Sequence, residues 1–183
     1  MIVRAALLCG AAVIAASCGG GKSLDADVQA ARKFKRFPLY WLGERFERWD
    51  LVHVGGLERP AEFVTFIFGN CTPHDGGQPS CIPPLQIEVF PLCWNLDVVA
   101  QAPIWKRRRI RGAPVGAHDS APVLFARGAQ VKVYRGEGTD AGIALRALRA
   151  LRSVNRVPPV VDVGARIPGP ARGVLAGTRT CSD

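Results

Sequence analysis

Nowhere does this chain hold the roughly 20 consecutive apolar residues that a membrane-spanning helix requires. Its longest greasy stretch runs from Ala5 to Ala16 and then breaks into Ser17-Cys18-Gly19-Gly20-Gly21. Histidine is scarce, with only His53, His74 and His118, and no serine occupies a Gly-x-Ser-x-Gly elbow. No glycine loop carries the lysine that cradles phosphate; Arg135-Gly136-Glu137-Gly138-Thr139 comes nearest and lacks it. Cysteines never fall as Cys-x-x-Cys, the pairing from which structural zinc sites are usually built. Acids are outnumbered, 15 Asp and Glu against 24 Lys and Arg, and no two are spaced to share one buried face. These absences remove the sequence support for a hydrolase, a nucleotide-binding enzyme or a zinc protein. The expectation is a chain with no catalytic residues, no metal and no cofactor.

What is present begins at the leader. Met1 to Ser17 has one positive residue, Arg4, then a short apolar core, then small residues before a cleavage point, which is the pattern of an export signal. Ala15-Ala16-Ser17-Cys18 resembles the bacterial lipobox, although that motif usually has leucine where this chain has Ala15. The resemblance implies cleavage before Cys18, diacylglycerol and palmitate on that residue, and Gly19 to Lys22 as a flexible tether. Each buried methylene contributes roughly 0.8 kcal/mol, so one acyl chain binds marginally and two or more hold durably. The expected location is the extracytoplasmic face of the cell membrane. The rival is plain secretion with Cys18 a bystander.

The chain carries a formal charge of +9, and the leader takes only one of its cations away. Arginine far outnumbers lysine and alanine is abundant, so compositional drift accounts for part of that charge. An exported protein seldom meets nucleic acid, and none is expected as a partner. Cys9 leaves with the leader and Cys18 takes lipid, so Cys71, Cys81, Cys93 and Cys181 remain, an even number for an oxidising compartment. Cys71 and Cys81 bracket Thr72 to Ser80, composed almost entirely of turn formers. Closing such a loop is worth roughly 2–3 kcal/mol in the chain-entropy view. That favours Cys71–Cys81 and leaves Cys93–Cys181 to tie the tail back by remainder.

Along the chain the expected organisation is signal 1–17, tether 18–33 with a short helix around Asp25 to Lys33, globular domain 34–156, and irregular Pro/Gly-rich tail 157–183. Phe37 to Gly43 and Phe46 to Val54 read as early strands. Glu62 to Gly69 is rich in β-branched and aromatic residues, and Pro84 to Phe90 alternates apolar with polar. Together they make a hairpin clipped by the first disulfide. Val98 to Ile104 reads as a short element, and Gly112, Pro114, Gly116 and Pro122 as markers of a loop. Val123 to Arg127 and Gln130 to Tyr134 make a second hairpin turning at Gly128. A helix is expected from Thr139 or Asp140 to about Asn155, with Ile143, Ala144, Ala147, Leu148, Leu151 and Val154 inward and Arg146, Arg149, Arg152 and Arg156 outward. Val160 to Val163 reads as a late strand. The fold class is therefore α+β, a mostly antiparallel sheet of hairpins packed by one C-terminal amphipathic helix.

The segments Phe37-Pro38-Leu39-Tyr40-Trp41-Leu42-Gly43, Phe66-Ile67-Phe68-Gly69-Asn70-Cys71 with Cys81-Ile82-Pro83-Pro84-Leu85, and Ala147 to Asn155 resemble uncharacterised actinobacterial exported proteins and lipoproteins. The likeness implies no activity.

Four constellations bear on function. Trp105, Lys106, Arg107, Arg108, Arg109 and Arg111 form the densest basic run; near a membrane each cation adds about 1 kcal/mol of attraction to anionic lipid. An anionic lipid or cell-wall polymer is the partner that run suits, against the plain reading of a solvated loop. The aromatics from Phe34 to Trp49 suit a core, or else a sugar-stacking platform. Cys71, His74, Cys81 and Cys93 could hold zinc only as thiolates. His118-Asp119-Ser120 has the residue types of a catalytic triad, but neighbours in sequence rarely point at one another.

Overall fold

The computed structural model describes residues 23–58, 62–71, 81–96, 108–118 and 120–182. The leader, Cys18, the Gly19–Lys22 tether, the Thr72–Ser80 loop with His74, the expected element at Val98–Ile104, and Trp105, Lys106, Arg107 and Asp119 lie outside the described residues.

The first element is a helix, α1 (Leu24–Lys33), begun by the Ser23 hydroxyl, which accepts the Ala26 N–H at 3.3 Å. Asp25 and Asp27 in its first turn and Arg32 and Lys33 in its last complement the helix dipole. It buries Val28 and Ala31 in the main core, so part of the segment read as tether belongs to the globular unit.

Strands follow: β1 (Tyr40–Trp41), β2 (Arg45–Phe46), β3 (Trp49–Gly55), β4 (Val64–Phe68), β5 (Leu85–Pro91), β6 (Arg109–Ile110), β7 (Ala113–His118), β8 (Ala121–Ala126) and β9 (Ala129–Arg135). A second helix, α2 (Ile143–Ala150), and a last strand, β10 (Arg152–Ser153), complete the order. Eight strands form one sheet in the order β2-β3-β4-β5-β9-β8-β7-β6, every pair antiparallel. It is two meanders joined at a seam, where β5 and β9 pair along their whole length from Leu85↔Arg135 to Pro91↔Ala129.

Alternation sorts the side chains. Phe66, Phe68, Leu85, Ile87, Val89, Val115, Leu124, Val131 and Val133 face one way into the main core, together with Val28 of α1 and Ile143, Ala144, Ala147 and Leu148 of α2. On the other face, Val123 and Phe125 meet Leu92, Leu96 and Val174 in a smaller apolar cluster. The α+β class and the two expected hairpins are present. One covering helix is too few, since among the described residues α1 and α2 both contribute to the same core.

The expectations fail where local pattern yields to packing. The late helix stops at Ala150 rather than Asn155, and Arg152–Ser153 pairs with Tyr40–Trp41 in a separate two-stranded ladder. Phe37 to Gly43 therefore contributes β1 to that ladder and nothing to the main sheet. The loop expected around Gly112, Pro114 and Gly116 holds β7, and Pro122 lies within β8. Glycine and proline punctuate a loop by default, but a proline near a strand start or beside a short edge strand needs no ladder donor. Val160 to Val163 is not a strand.

The tail is irregular in backbone yet fastened. Val161, Ile167 and Val174 are buried. The Arg111 guanidinium donates to the carbonyls of Asp162 and Ala165, each at 2.5 Å, and to those of Arg149 and Leu151 at the end of α2. The Arg111 carbonyl accepts the Ile167 N–H at 2.7 Å. Arg111 thus locks the tail to the helix, and its positive φ of 51° aims it there.

Candidate functional site

The second face of the sheet gathers the chemistry. Across the seam Glu88 of β5 stands opposite Lys132 of β9, and Gln86 opposite Tyr134. The Gln86 side-chain amide donates to the Glu88 carboxylate at 2.8 Å. Lys132, only 4 % exposed, places its Nζ in hydrogen-bond contact with His118 Nδ1 at 3.2 Å. Its Nζ also lies 4.9 Å from the Phe90 ring centroid and 5.9 Å from that of Trp94. Phe90 and Trp94 stack at 4.5 Å, and Phe63 meets Phe90 at 5.1 Å. Below this group the fully buried Gln130 amide donates to the carbonyls of Leu92 at 2.7 Å and Trp94 at 2.8 Å, fixing the chain beside Cys93.

Burial holds the Glu88 carboxyl above its ordinary value of 4.5, partly offset by hydrogen bonds from Gln86 and Tyr134 and by the Lys132 charge. A carboxyl whose folded pKa is raised binds its proton more tightly in the folded chain. Its destabilising effect is absent below 4.5 and grows as pH rises through the interval up to the folded value. Glu88→Gln is therefore expected to flatten the fall in stability on the alkaline side of 4.5. Urea midpoints measured across that interval check this; an unchanged slope would show that Glu88 does not set it.

This group of residues was legible only as alternation, polar at Gln86, Glu88, Gln130 and Lys132, because neither strand alone shows that the two polar rows face each other. Trp94 carried no signal of its own, and Phe63 read only as part of the Glu62–Gly69 strand, which begins one residue later at Val64.

Of the expected site residues, the structure brings the four cysteines together in pairs. Cys71 and Cys81 are bonded, as are Cys93 and Cys181, with S–S distances of 2.10 Å and 2.08 Å. Those sulfurs are not thiolates, so the zinc alternative loses its ligands, and no group of three metal-ligating side chains occurs among the described residues. His118 ends β7 against Lys132, while Ser120 is exposed in the turn at a φ of 66°. Of the basic run, Arg108 and Arg109 are exposed, and Arg109 donates to the Gly112 carbonyl at 2.8 Å. Arg111, half-buried, has its guanidinium donors engaged by backbone carbonyls. The early aromatics Phe37, Tyr40 and Trp41 are core. Buried without a hydrogen-bond partner among the described residues, the Tyr40 hydroxyl is pushed up to about 12.

A concavity lies at the β1–β10 ladder. Arg32, Glu44, Arg45 and Arg152 rim it and Trp41 floors it, enclosing about 540 Å³.

No known protein family, no curated protein and no solved structure matches the chain.

Proposed function

We propose that the chain is an exported, membrane-anchored lipoprotein whose folded part is a binding or structural domain without catalytic activity. The leader and Ala15-Ala16-Ser17-Cys18 motif support the anchor at Cys18. The observation that carries the compartment is the cysteine pairing: all four cysteines of the folded part are consumed in two disulfides, chemistry suited to an oxidising space. No helix among the described residues is long and apolar enough to cross a membrane, so attachment in this reading falls to lipid. In this reading a mostly antiparallel sheet, covered by two helices on one face and by the tail cluster on part of the other, leaves the β1–β10 groove for recognition. The second reading, an envelope-binding module that presses its basic run on anionic lipid or polymer, is favoured by the exposure of Arg108 and Arg109. Labelled palmitate fed to producing cells is expected to enter the native chain and to vanish from Cys18→Ala. No label in the native chain overturns the anchor.

A further inference from the structure

The groove at the β1–β10 ladder contains a charge imbalance. Arg32 pairs with Glu44 at 3.3 Å and Arg45 with Asp50 at 3.6 Å. Arg152 has no carboxylate partner among the described residues; its guanidinium lies over the Trp41 ring at 5.8 Å. Gly43 makes room for it. A Cβ there would sit 1.8 Å from an Arg152 nitrogen, and the Gly43 φ of +95° is itself one that side chains rarely adopt. The backbone at Gly43, the ring of Trp41 and the ladder at Trp41↔Arg152 thus hold one unmatched guanidinium in place on the groove wall.

The walls decide what kind of molecule fits. Arg32, Glu44 and Arg45 are exposed and polar, Trp41 is buried under Arg152, and Val154 is the aliphatic lining residue. Such a surface gives an acyl chain nothing to bury against but gives a hydrophilic chain many donors. The volume of about 540 Å³ falls within the range of small-ligand sites. A planar guanidinium matches an oxyanion through two parallel N–H donors, and one uncompensated positive charge matches one negative charge.

We propose that this groove binds a water-soluble acidic polymer, seating one monoanionic group, a carboxylate or a phosphodiester, on Arg152. The proposal deepens the binding-domain reading by giving its ligand class and a site apart from the Trp105–Arg111 run. It does not depend on the lipid anchor, so the palmitate experiment and this one fail separately.

The test is calorimetric titration of the full chain, in detergent micelles, with oligogalacturonate, with oligomeric glycerol phosphate and with a neutral maltooligosaccharide. One acidic oligomer is expected to saturate, which identifies the carboxylate or the phosphodiester, while the neutral one shows no binding. Arg152→Gln is expected to weaken that binding roughly tenfold or more, while Arg108→Gln with Arg109→Gln leaves it unchanged. Should Arg152→Gln melt early, exposed Arg45→Gln replaces it, with weakened binding and an unchanged melt expected. Saturation by neither acid, native affinity in the groove variants, or loss of binding in the Arg108/Arg109 variant overturns the proposal.

Discussion

Replacing Cys93 and Cys181 together with serine is expected to cost about 4–5 kcal/mol of stability, the largest effect of any change considered. The bridge joins positions 88 apart in sequence, and a longer closed loop removes more freedom from the unfolded chain. Opening it also frees the end of the tail, whose Val174 covers Val123 and Phe125 with Leu92 and Leu96. Arg111 still holds the tail at Asp162 and Ala165, so the loss is expected to localise beyond Ile167 before the whole domain unfolds. The same replacement at Cys71 and Cys81, 10 positions apart, is expected to cost roughly 2–3 kcal/mol. Urea unfolding of the two variants side by side checks the order; a larger loss at Cys71/Cys81 would mean loop length is not the governing quantity. Since domains of this kind are stable by only ~5–15 kcal/mol, the Cys93/Cys181 variant should be partly unfolded when warmed.

Asn155→Ala is expected to cost about 3–5 kcal/mol, from three lost hydrogen bonds, two buried and one part-buried. Asn155, 2 % exposed, accepts the Leu39 N–H at 2.9 Å and donates to the carbonyls of Phe34 at 3.0 Å and Phe37 at 2.9 Å. It fastens the segment leading from α1 into β1 at Phe34, Phe37 and Leu39. Alanine would leave the Leu39 donor and two carbonyls without their partner in a place from which water is excluded. Asn155→Asp separates the roles. The acceptor survives, both donors go, and a carboxylate faces two carbonyl oxygens, so its folded pKa must rise. Its penalty should therefore be greatest at neutral pH and ease as acid protonates it. Melting temperatures at two pH values check the sign, and a penalty indifferent to pH would show that the donors, not the charge, decide.

Asn155 also marks where sequence reading ran out. The arginine and leucine spacing from Ile143 onward continues past Ala150 with good helical period, and nothing local says that Leu151 turns extended. The stop is tertiary: Val154 N–H donates to the Leu39 carbonyl at 3.0 Å, and Asn155 is needed at Phe34, Phe37 and Leu39, 116 or more positions away in sequence. The β4–β5 and β8–β9 hairpins were legible because each combines alternation with a local closure, a bridged loop in one and Gly128 in the other. Strand β7 was not, since Pro114 and Gly116 mask a pattern that only pairing with β8 reveals. The site residues follow the same division. The cysteines could be sorted by arithmetic, whereas Arg111 read as one more cation in a basic run, and its inward turn depends on a tail more than fifty residues away. Arg152 likewise read as the wet side of a helix until the ladder with Trp41 gave it another neighbour.

The rims of the main sheet, β2 and β6, are each only two residues long and each carries an arginine, Arg45 or Arg109. A neighbouring copy looking for unpaired amides and carbonyls to extend finds only two residues of template on either terminal strand, with an arginine on each. Crowding many copies side by side on one surface should thus leave them separate molecules, with aggregation suppressed at the two places where an antiparallel sheet is most open to it.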